Sequence, residues 1–241
     1  MWNNKTVSVI LPTYAERESI RRVIEEFFAT GVADEVIVVN NNAQAGTDEE
    51  VAKTNARIVH EIKQGYGWAI RRGLREAKGE FLVVAEPDGT FMGKDIIKLL
   101  SYADDFDVVL GTRTTKELIW RGANMDYALR SGNYIVSKFL EFIFNTPVLT
   151  DMGCTMKLLN RKAYERLKDK FRVGDSLFNA EFILWLAITR TRFIEIPVNY
   201  SERTGKSSVT GNRIIAIKLG LRMILLILRY FIKSRVTFYD N

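Results

Sequence analysis

Short apolar runs alternate with amphipathic segments along the first half of the chain. Runs rich in valine, isoleucine, leucine and phenylalanine predict strands over residues 6–13, 35–40, 56–62, 80–86 and 107–113. The segments between these runs predict helices over residues 16–29, 47–55, 66–78 and 94–103. Nearly continuous apolar strands that alternate with helices are typical of a mainly parallel sheet covered by helices. The pattern therefore predicts an α/β fold.

A different pattern begins near residue 209, where a glycine-containing turn precedes an apolar tail over 214–232. Lys218, Arg222 and Arg229 interrupt this tail, and at about 100° per residue they share one stripe with Lys233. A charge at the centre of a bilayer costs about 2.5–3.5 kcal/mol even on a lenient scale, which argues against a membrane span. A basic stripe beside apolar faces favours a helix that lies in the membrane interface, and the alternative is a helix packed against the domain.

The chain is therefore expected to have two parts. One is a globular domain over residues 1–209, and the other is a basic, amphipathic, membrane-associated helix over residues 210–241. A further candidate helix covers residues 125–144 inside the domain.

Polar residues follow the predicted strands at the positions where ligands bind in open α/β sheets, beyond the carboxyl ends of the strands. The strand endings read PTYAE (12–16), NNN (40–42), EPD (86–88) and GTR (111–113). Glu86 and Asp88 flank Pro87, and carboxylates one residue apart can share a divalent cation such as Mg²⁺ or Mn²⁺. The alternative for this segment is a solvated turn. Downstream of NNN, Gly65 and Gly67 are expected to let the backbone approach a ligand, with the following helix presenting its N-terminus to phosphate.

Charge and composition narrow the classes of partner. The net charge is +6 and the pI is near 9.3, which favours an anionic partner such as nucleic acid, acidic lipid or nucleotide phosphate. A single cysteine, Cys154, excludes an internal disulfide, and with one histidine, His60, it argues against a zinc site. An intracellular protein without a signal peptide is expected. His60 is interpreted as a structural residue at a strand end.

Several segments occur in an order that resembles a known family. They are ILPTYAERESI, GYGWAIRRGLREAKGEFLVVAEPDG, GTR and FIEIPVNYSERTGKSS, spread over about residues 6 to 210. Together they resemble the inverting family-two glycosyltransferases with the GT-A fold, and in particular the branch that makes polyprenyl-phosphate sugars, typified by dolichol-phosphate mannose synthase. The resemblance implies a GT-A domain with a mainly parallel central sheet flanked by helices.

The resemblance also implies how the nucleotide-sugar donor is bound. Glu86 and Asp88 match the acidic motif that holds Mn²⁺ or Mg²⁺ on the donor diphosphate. The remaining candidates for donor binding are Pro12, Tyr14, Glu16, Val39, Asn41, Gln64, Arg203 and Lys206. Arg203 and Lys206 lie in SERTGKSS, which is similar to a loop that closes on the diphosphate. Asparagines stand at 40–42 where the family usually has aspartates, so the base of the nucleotide is left open.

The candidates for catalysis are Asp88, Arg113, Arg130 and Asp151. By resemblance, Arg113 lies near the donor sugar or the acceptor phosphate, and Arg130 binds the acceptor. The implied reaction moves a hexose from a nucleotide sugar to a polyprenyl phosphate, with GDP-mannose preferred and UDP-glucose next. The implied location is the cytoplasmic face of the cell membrane, with peripheral or anchored attachment.

Other functions stay open at this point. A saccharide hydroxyl acceptor would require a carboxylate base, for which Asp151, Asp175 and Glu181 are the candidates. A nucleic-acid-binding protein would concentrate its basic residues on one surface, whereas here they are divided between a loop and the apolar tail, so no nucleic-acid partner is expected. A catalytically silent membrane adaptor is a third alternative, because Glu86 and the three asparagines depart from the family pattern.

Overall fold

The computed structural model describes residues 1–205 and 213–239. Its centre is a seven-stranded sheet with the order β3-β2-β1-β4-β6-β5-β7. The strands are β1 Val7–Thr13, β2 Glu35–Asn40, β3 Arg57–His60, β4 Phe81–Val84, β5 Val108–Thr112, β6 Lys157–Asn160 and β7 Phe193–Pro197. All neighbouring pairs are parallel except those of β6, which runs antiparallel between β4 and β5. The prediction of an α/β fold with a mainly parallel sheet is confirmed.

Helices cover both faces of this sheet. They are α1 Arg17–Ala29, α2 Thr47–Ala52, α3 Tyr66–Glu76, α4 Ile96–Leu100, α5 Tyr127–Phe144, α6 Arg161–Leu167, α7 Phe178–Ile188 and α8 Arg213–Tyr239. Alternate residues of β1 join two apolar cores because side chains of a strand point to opposite faces. Val9 and Leu11 join the core that contains α1 and α4, whereas Ile10 joins the core that contains α3, α5, α7 and α8.

Five strands were predicted where the structure has seven. The missed strands are β6, which runs directly into α6 at Arg161, and β7, whose apolar run is interrupted by Glu195. β6 enters the sheet at Lys157, opposite Val84 at the end of β4. The carboxyl ends of β1, β2, β4, β5 and β7 and the start of β6 consequently meet at one edge of the sheet.

Helix α8 packs against the body of the domain along one of its faces. Met223 and Ile227 are buried in the same core as α5 and α7, and the Tyr230 hydroxyl donates a 2.5 Å hydrogen bond to Glu181 Oε1 on α7. Phe231 meets Phe144 of α5 edge to face, with ring centroids 5.8 Å apart. The helix therefore shares the core of the domain. Within the described part of the chain, no helix is both long and apolar enough to cross a membrane.

Candidate active site

The turn that follows β4 holds Asp88 in a fixed orientation. Asp88 is fully buried, and its Oδ1 accepts hydrogen bonds from Thr90 N at 2.9 Å and from Thr90 Oγ1 at 2.6 Å. Ser19 Oγ of α1 donates a 2.7 Å hydrogen bond to the carbonyl of Pro87. Gly89 has φ +80°, a left-handed conformation that glycine adopts without strain. The local sequence thus builds a turn that fixes Oδ1 and leaves Oδ2 without a hydrogen bond from the turn itself.

Arg203 occupies the space in front of that oxygen. Its Nη1 lies 2.8 Å from Asp88 Oδ2, and its Nη2 donates a 2.7 Å hydrogen bond to Glu16 Oε1. Backbone bonds fasten the surrounding loop, because Thr204 N donates to Asp88 O and Ser201 N donates to Thr90 O, each at 2.8 Å. The structure therefore brings together three residues that the sequence predicted for the donor site. Lys206 lies outside the described residues.

This carboxylate site fits a divalent cation. Asp88 Oδ2 is buried and receives no hydrogen bond from the described residues, and a guanidinium already stands beside it as a cation. Glu86 is half-buried, and burial together with the nearby Asp88 carboxylate raises its pKa to about 8, a rise that the charges of Arg203 and Arg113 oppose. No cluster of three acidic, histidine or cysteine side chains exists among the described residues, so diphosphate and water oxygens would complete the coordination of Mg²⁺ or Mn²⁺.

The loop after β1 is held by Glu16. Its Oε2 accepts hydrogen bonds from Tyr14 N at 2.8 Å and Ala15 N at 2.9 Å, in addition to a 3.2 Å bond from Thr13 Oγ1. Glu16 therefore shapes the loop through one oxygen and binds Arg203 through the other. Tyr14 is 55% exposed, which leaves its ring open to a ligand. Pro12 is buried in the sheet, in register with Val39.

Asn41 ties the loop after β3 to the sheet. Its Nδ2 donates to Glu61 O at 2.7 Å and to Lys63 O at 2.8 Å, and its Oδ1 accepts from Gly65 N at 2.8 Å. Its side-chain groups are thus engaged within the protein. Gln64 is exposed beside it and accepts a 2.8 Å bond from Asn42 Nδ2.

The expectation that Gly65 and Gly67 leave room for a ligand is wrong. A Cβ at Gly65 would lie 2.3 Å from Gly174 O, and a Cβ at Gly67 would lie 2.7 Å from Val173 O. Trp68 N also donates a 3.2 Å hydrogen bond to Gly174 O. These glycines permit close packing of the 173–174 backbone, and the Trp68 N–H in the first turn of α3 is bonded to that backbone rather than open to phosphate.

Arg113 and Asp151 form a buried, two-pronged ion pair behind the donor site. Arg113 Nε donates to Asp151 Oδ2 and Arg113 Nη2 donates to Asp151 Oδ1, each at 2.8 Å, and Arg113 N adds a third bond at 3.0 Å. The guanidinium also lies 5.1 Å from the centroid of the Tyr200 ring. Burial alone would raise the pKa of Asp151, but the Arg113 charge and these hydrogen bonds lower it. Asp151 is therefore an ionised partner of arginine and is poorly suited to act as a general base.

The other two candidate bases are also engaged. Glu181 is fully buried and accepts bonds from Arg172 N, Val173 N and the Tyr230 hydroxyl. Asp175 lies 2.6 Å from Arg222 Nη2 and orders the start of α7 by accepting from Leu177 N. None of the three candidate bases is a carboxylate free of partners.

Arg130 lies in a groove on α5. The groove is lined by Thr114, Arg130, Ser131, Tyr134 and Ile135. Arg130 is half-buried, with its guanidinium 5.9 Å from the centroid of Tyr127. The guanidinium and the Ser131 hydroxyl suit an anionic group, and the adjoining Tyr134 and Ile135 side chains are exposed apolar surface.

Two charged residues at this edge of the sheet, the buried Lys157 and the half-buried Glu195, were not among the sequence candidates. Lys157 Nζ donates a 2.5 Å hydrogen bond to Asn179 Oδ1, and burial lowers the pKa of Lys157 to about 8. Glu195 accepts hydrogen bonds from Thr150 and Asp151, and burial raises its pKa to about 7. Lys157 precedes the short run LLN, and Glu195 is the one charged residue of FIEIP. A single charge beside apolar residues is the only sequence feature that could have marked either residue as a candidate.

Comparison with known families identifies this architecture. The model of the family described as "Glycosyl transferase family 2" matches residues 8–168. The chain belongs to this family. As a family 2 glycosyltransferase it has the GT-A fold, and the resemblance seen in the sequence is confirmed.

Several relatives share this assignment. The chain is 31% identical over 208 residues to an uncharacterised glycosyltransferase of Mycobacterium bovis, covering 86% of this chain and 90% of that one. It is 26% identical over 205 residues to the dolichyl-phosphate hexose transferase of Haloferax volcanii, covering 84% and 86%. It is also 26% identical over 210 residues to the low-salt glycan biosynthesis hexosyltransferase Agl6 of the same organism, but it spans only 50% of that protein.

Solved structures agree on the fold. The glucosyl-3-phosphoglycerate synthase of Mycobacterium tuberculosis, crystallised with Mn²⁺, UDP-glucose and phosphoglyceric acid, superposes with a TM-score of 0.73 at 14% identity. The superposition covers 93% of this chain and 80% of that one. A complex of the same synthase with Mn²⁺, UDP and phosphoglyceric acid gives a TM-score of 0.72, also at 14% identity, covering 95% and 79%.

Proposed function

We propose that this family 2 glycosyltransferase transfers a hexose from a nucleotide sugar to a polyprenyl phosphate at a membrane surface. The observation that carries the proposal is the Arg130 groove, which offers a guanidinium and the Ser131 hydroxyl beside exposed apolar side chains. A phosphate acceptor is already an anion and needs no strong general base. The engagement of Asp151, Asp175 and Glu181 with other groups supports such an acceptor over a saccharide hydroxyl.

The donor is proposed to bind between the loop at Tyr14 and the turn at Asp88. Asp88 and Glu86 would hold Mn²⁺ or Mg²⁺, which when bound would help to stabilise the charge of the departing diphosphate. When the donor binds, Arg203 leaves the carboxylates of Asp88 and Glu16 and pairs with oxygens of the diphosphate, whose negative charge it neutralises. Among donors, GDP-mannose follows from the branch that the sequence resembles, and UDP-glucose follows from the ligand of the superposed synthase.

The chemistry is proposed to be a single displacement at the anomeric carbon. An oxygen of the acceptor phosphate forms the new bond to that carbon while the bond to the nucleoside diphosphate breaks. Arg130 holds the acceptor phosphate in its groove. Arg113, kept cationic and immobile by Asp151, contributes positive potential near both phosphates.

The outward surface of α8 supports attachment to a membrane. Its exposed apolar residues recur at helical spacing and include Ile214, Ile217, Leu221, Leu225, Leu228 and Ile232. The basic residues Lys218, Arg222 and Arg229 form the neighbouring stripe, while Met223 and Ile227 face the core. A helix with one buried, one exposed apolar and one basic face suits the interface of an anionic membrane. We place the protein at the cytoplasmic face of the cell membrane, attached peripherally.

A transfer assay tests this function. The purified chain is incubated with Mn²⁺, a labelled nucleotide sugar (GDP-mannose or UDP-glucose) and either a polyprenyl phosphate or free saccharides. A labelled lipid product is expected only with the prenyl phosphate, and R130A is expected to reduce its rate at least about tenfold while the exposed control R21A does not. Transfer to saccharides alone would reject the proposed acceptor.

A further inference from the structure

Glu195 lies at the junction of the two basic groups that the proposed function requires. We propose that Glu195 is a positioning residue that fixes Arg113 and the Arg130 groove relative to each other, and so controls how the acceptor phosphate is aligned. The inference rests on the proposed function and adds a residue that does not itself touch a substrate.

The Glu195 carboxylate holds the segment that precedes Asp151. Its Oε2 accepts from Thr150 N at 2.7 Å and from Thr150 Oγ1 at 2.6 Å, and its Oε1 accepts from Asp151 N at 3.0 Å. Glu195 sits in β7 in register with Leu110 of β5, two residues before Thr112. Three donors on one carboxylate therefore anchor residues 150–151 to β7, which pairs with β5, the strand that leads into Arg113.

One branch of this network reaches Arg113. Asp151, whose backbone is held by Glu195, accepts all three of the bonds that orient the Arg113 guanidinium and backbone. A shift of residues 150–151 would carry Asp151 with it. Because both side chains of that ion pair are buried, Arg113 would have to follow or lose its partner.

The other branch reaches the groove through hydroxyl groups. The Oγ1 atoms of Thr112, Thr114 and Thr150 form a triangle with sides of 2.8 Å. Each threonine hydroxyl has one proton, and that of Thr150 is given to Glu195, so Thr150 can only accept from the other two. The carboxylate thereby directs the hydroxyl of Thr114, which lines the groove together with Arg130.

The charged groups around Glu195 influence its pKa, and so the pH range in which its carboxylate can accept these hydrogen bonds. Asp151 faces Glu195 from the site, with Arg113 as its ion-pair partner, and the Lys138–Glu141 ion pair faces Glu195 from α5. Burial raises the pKa of Glu195 to about 7. Below that pH the protonated acid loses acceptor capacity for its three donors, so acceptor alignment is expected to fail as pH falls through 7.

The test compares E195Q with T150V, T150S and the control E76Q, a half-buried glutamate paired with Arg72 outside the site. In E195Q, one amide oxygen cannot replace two carboxylate oxygens. The KM for the prenyl phosphate should rise about tenfold while the KM for the nucleotide sugar stays within about twofold, and the acid limb of kcat/KM near pH 7 should disappear. T150V should show part of the KM rise, and T150S, which keeps the hydroxyl, should restore the wild-type value.

Thermal unfolding of each variant checks that the fold is kept. If folded E195Q retains the wild-type acceptor KM and acid limb, or loses donor and acceptor affinity equally, the positioning role is rejected. Failure of the proposed function would be recognised from the wild-type protein, which would then transfer the sugar to an acceptor other than prenyl phosphate. The KM of E195Q for that other acceptor would then decide whether Glu195 has the positioning role.

Discussion

The two oxygens of the Asp88 carboxylate have different surroundings. Oδ1 accepts two hydrogen bonds from Thr90, whereas Oδ2 receives no hydrogen bond from the described residues and lies 2.8 Å from Arg203 Nη1. D88N keeps the shape and removes the charge, so it should lower the transfer rate at least about a hundredfold and weaken activation by Mn²⁺. Initial rates across a Mn²⁺ titration measure both effects. The exposed D105N is the control, and a D88N enzyme with normal Mn²⁺ activation would exclude Asp88 as a ligand.

The buried Lys157 should make the free energy of unfolding depend on pH. Burial lowers its folded-state pKa to about 8, below the ordinary 10.5. Between these values the unfolded chain binds more protons, so the Lys157 contribution to the free energy of unfolding rises as pH increases from about 8 to 10.5, by at most about 3 kcal/mol. K157M should abolish this rise. Urea unfolding of both proteins at pH 7.5 and 10 measures the difference, and parallel pH dependences would show that Lys157 is not desolvated.

At the scale of elements, α3 is joined to the segment before α7 by glycine contacts. A Cβ at Gly174 would lie 1.9 Å from Trp68 Nε1, so G174A should destabilise the fold by about 1–3 kcal/mol through overpacking. A Cβ at Gly132, inside α5, would meet no neighbouring atom within 4 Å, and G132A should stabilise by up to about 1 kcal/mol. Chemical denaturation of the two alanine variants compares them directly. Equal effects at the two sites would contradict the close packing.

The secondary-structure elements could be predicted from the sequence more completely than the side-chain contacts between them. Strands β1, β2 and β4 were predicted because apolar runs rich in valine, isoleucine and leucine dominate them. Asp88 and Arg113 were chosen as candidates because they follow strands at the ligand-binding edge. Asn41 could not be assigned from sequence, since only the fold shows its amide bonded to the carbonyls of Glu61 and Lys63. Glu195 was missed for the same reason: its partners, Thr150 and Asp151, are more than forty residues away along the chain.

At the scale of the whole molecule, the outward face of α8 should determine attachment to lipid. Ile217 and Leu225 are exposed on this face, so I217E together with L225E should lower binding to anionic vesicles at least about tenfold, and salt should weaken wild-type binding. Vesicle co-sedimentation measures both. I97E alters an exposed residue of α4, beside the opposite core, and should bind normally. Unchanged sedimentation of the double variant would exclude this face.

The salt link from Arg203 to Asp88 and Glu16 has a consequence for how the protein depends on its cation. The Arg203 guanidinium already compensates the negative charge of Asp88 and Glu16, so the stability of the fold should not depend on a bound metal ion. Chelation with EDTA should then stop turnover while leaving the melting temperature within about 2 °C, as differential scanning calorimetry would show. In that case Asp88 and Glu86 would hold the ion only together with the donor diphosphate, and the fold itself would not depend on it.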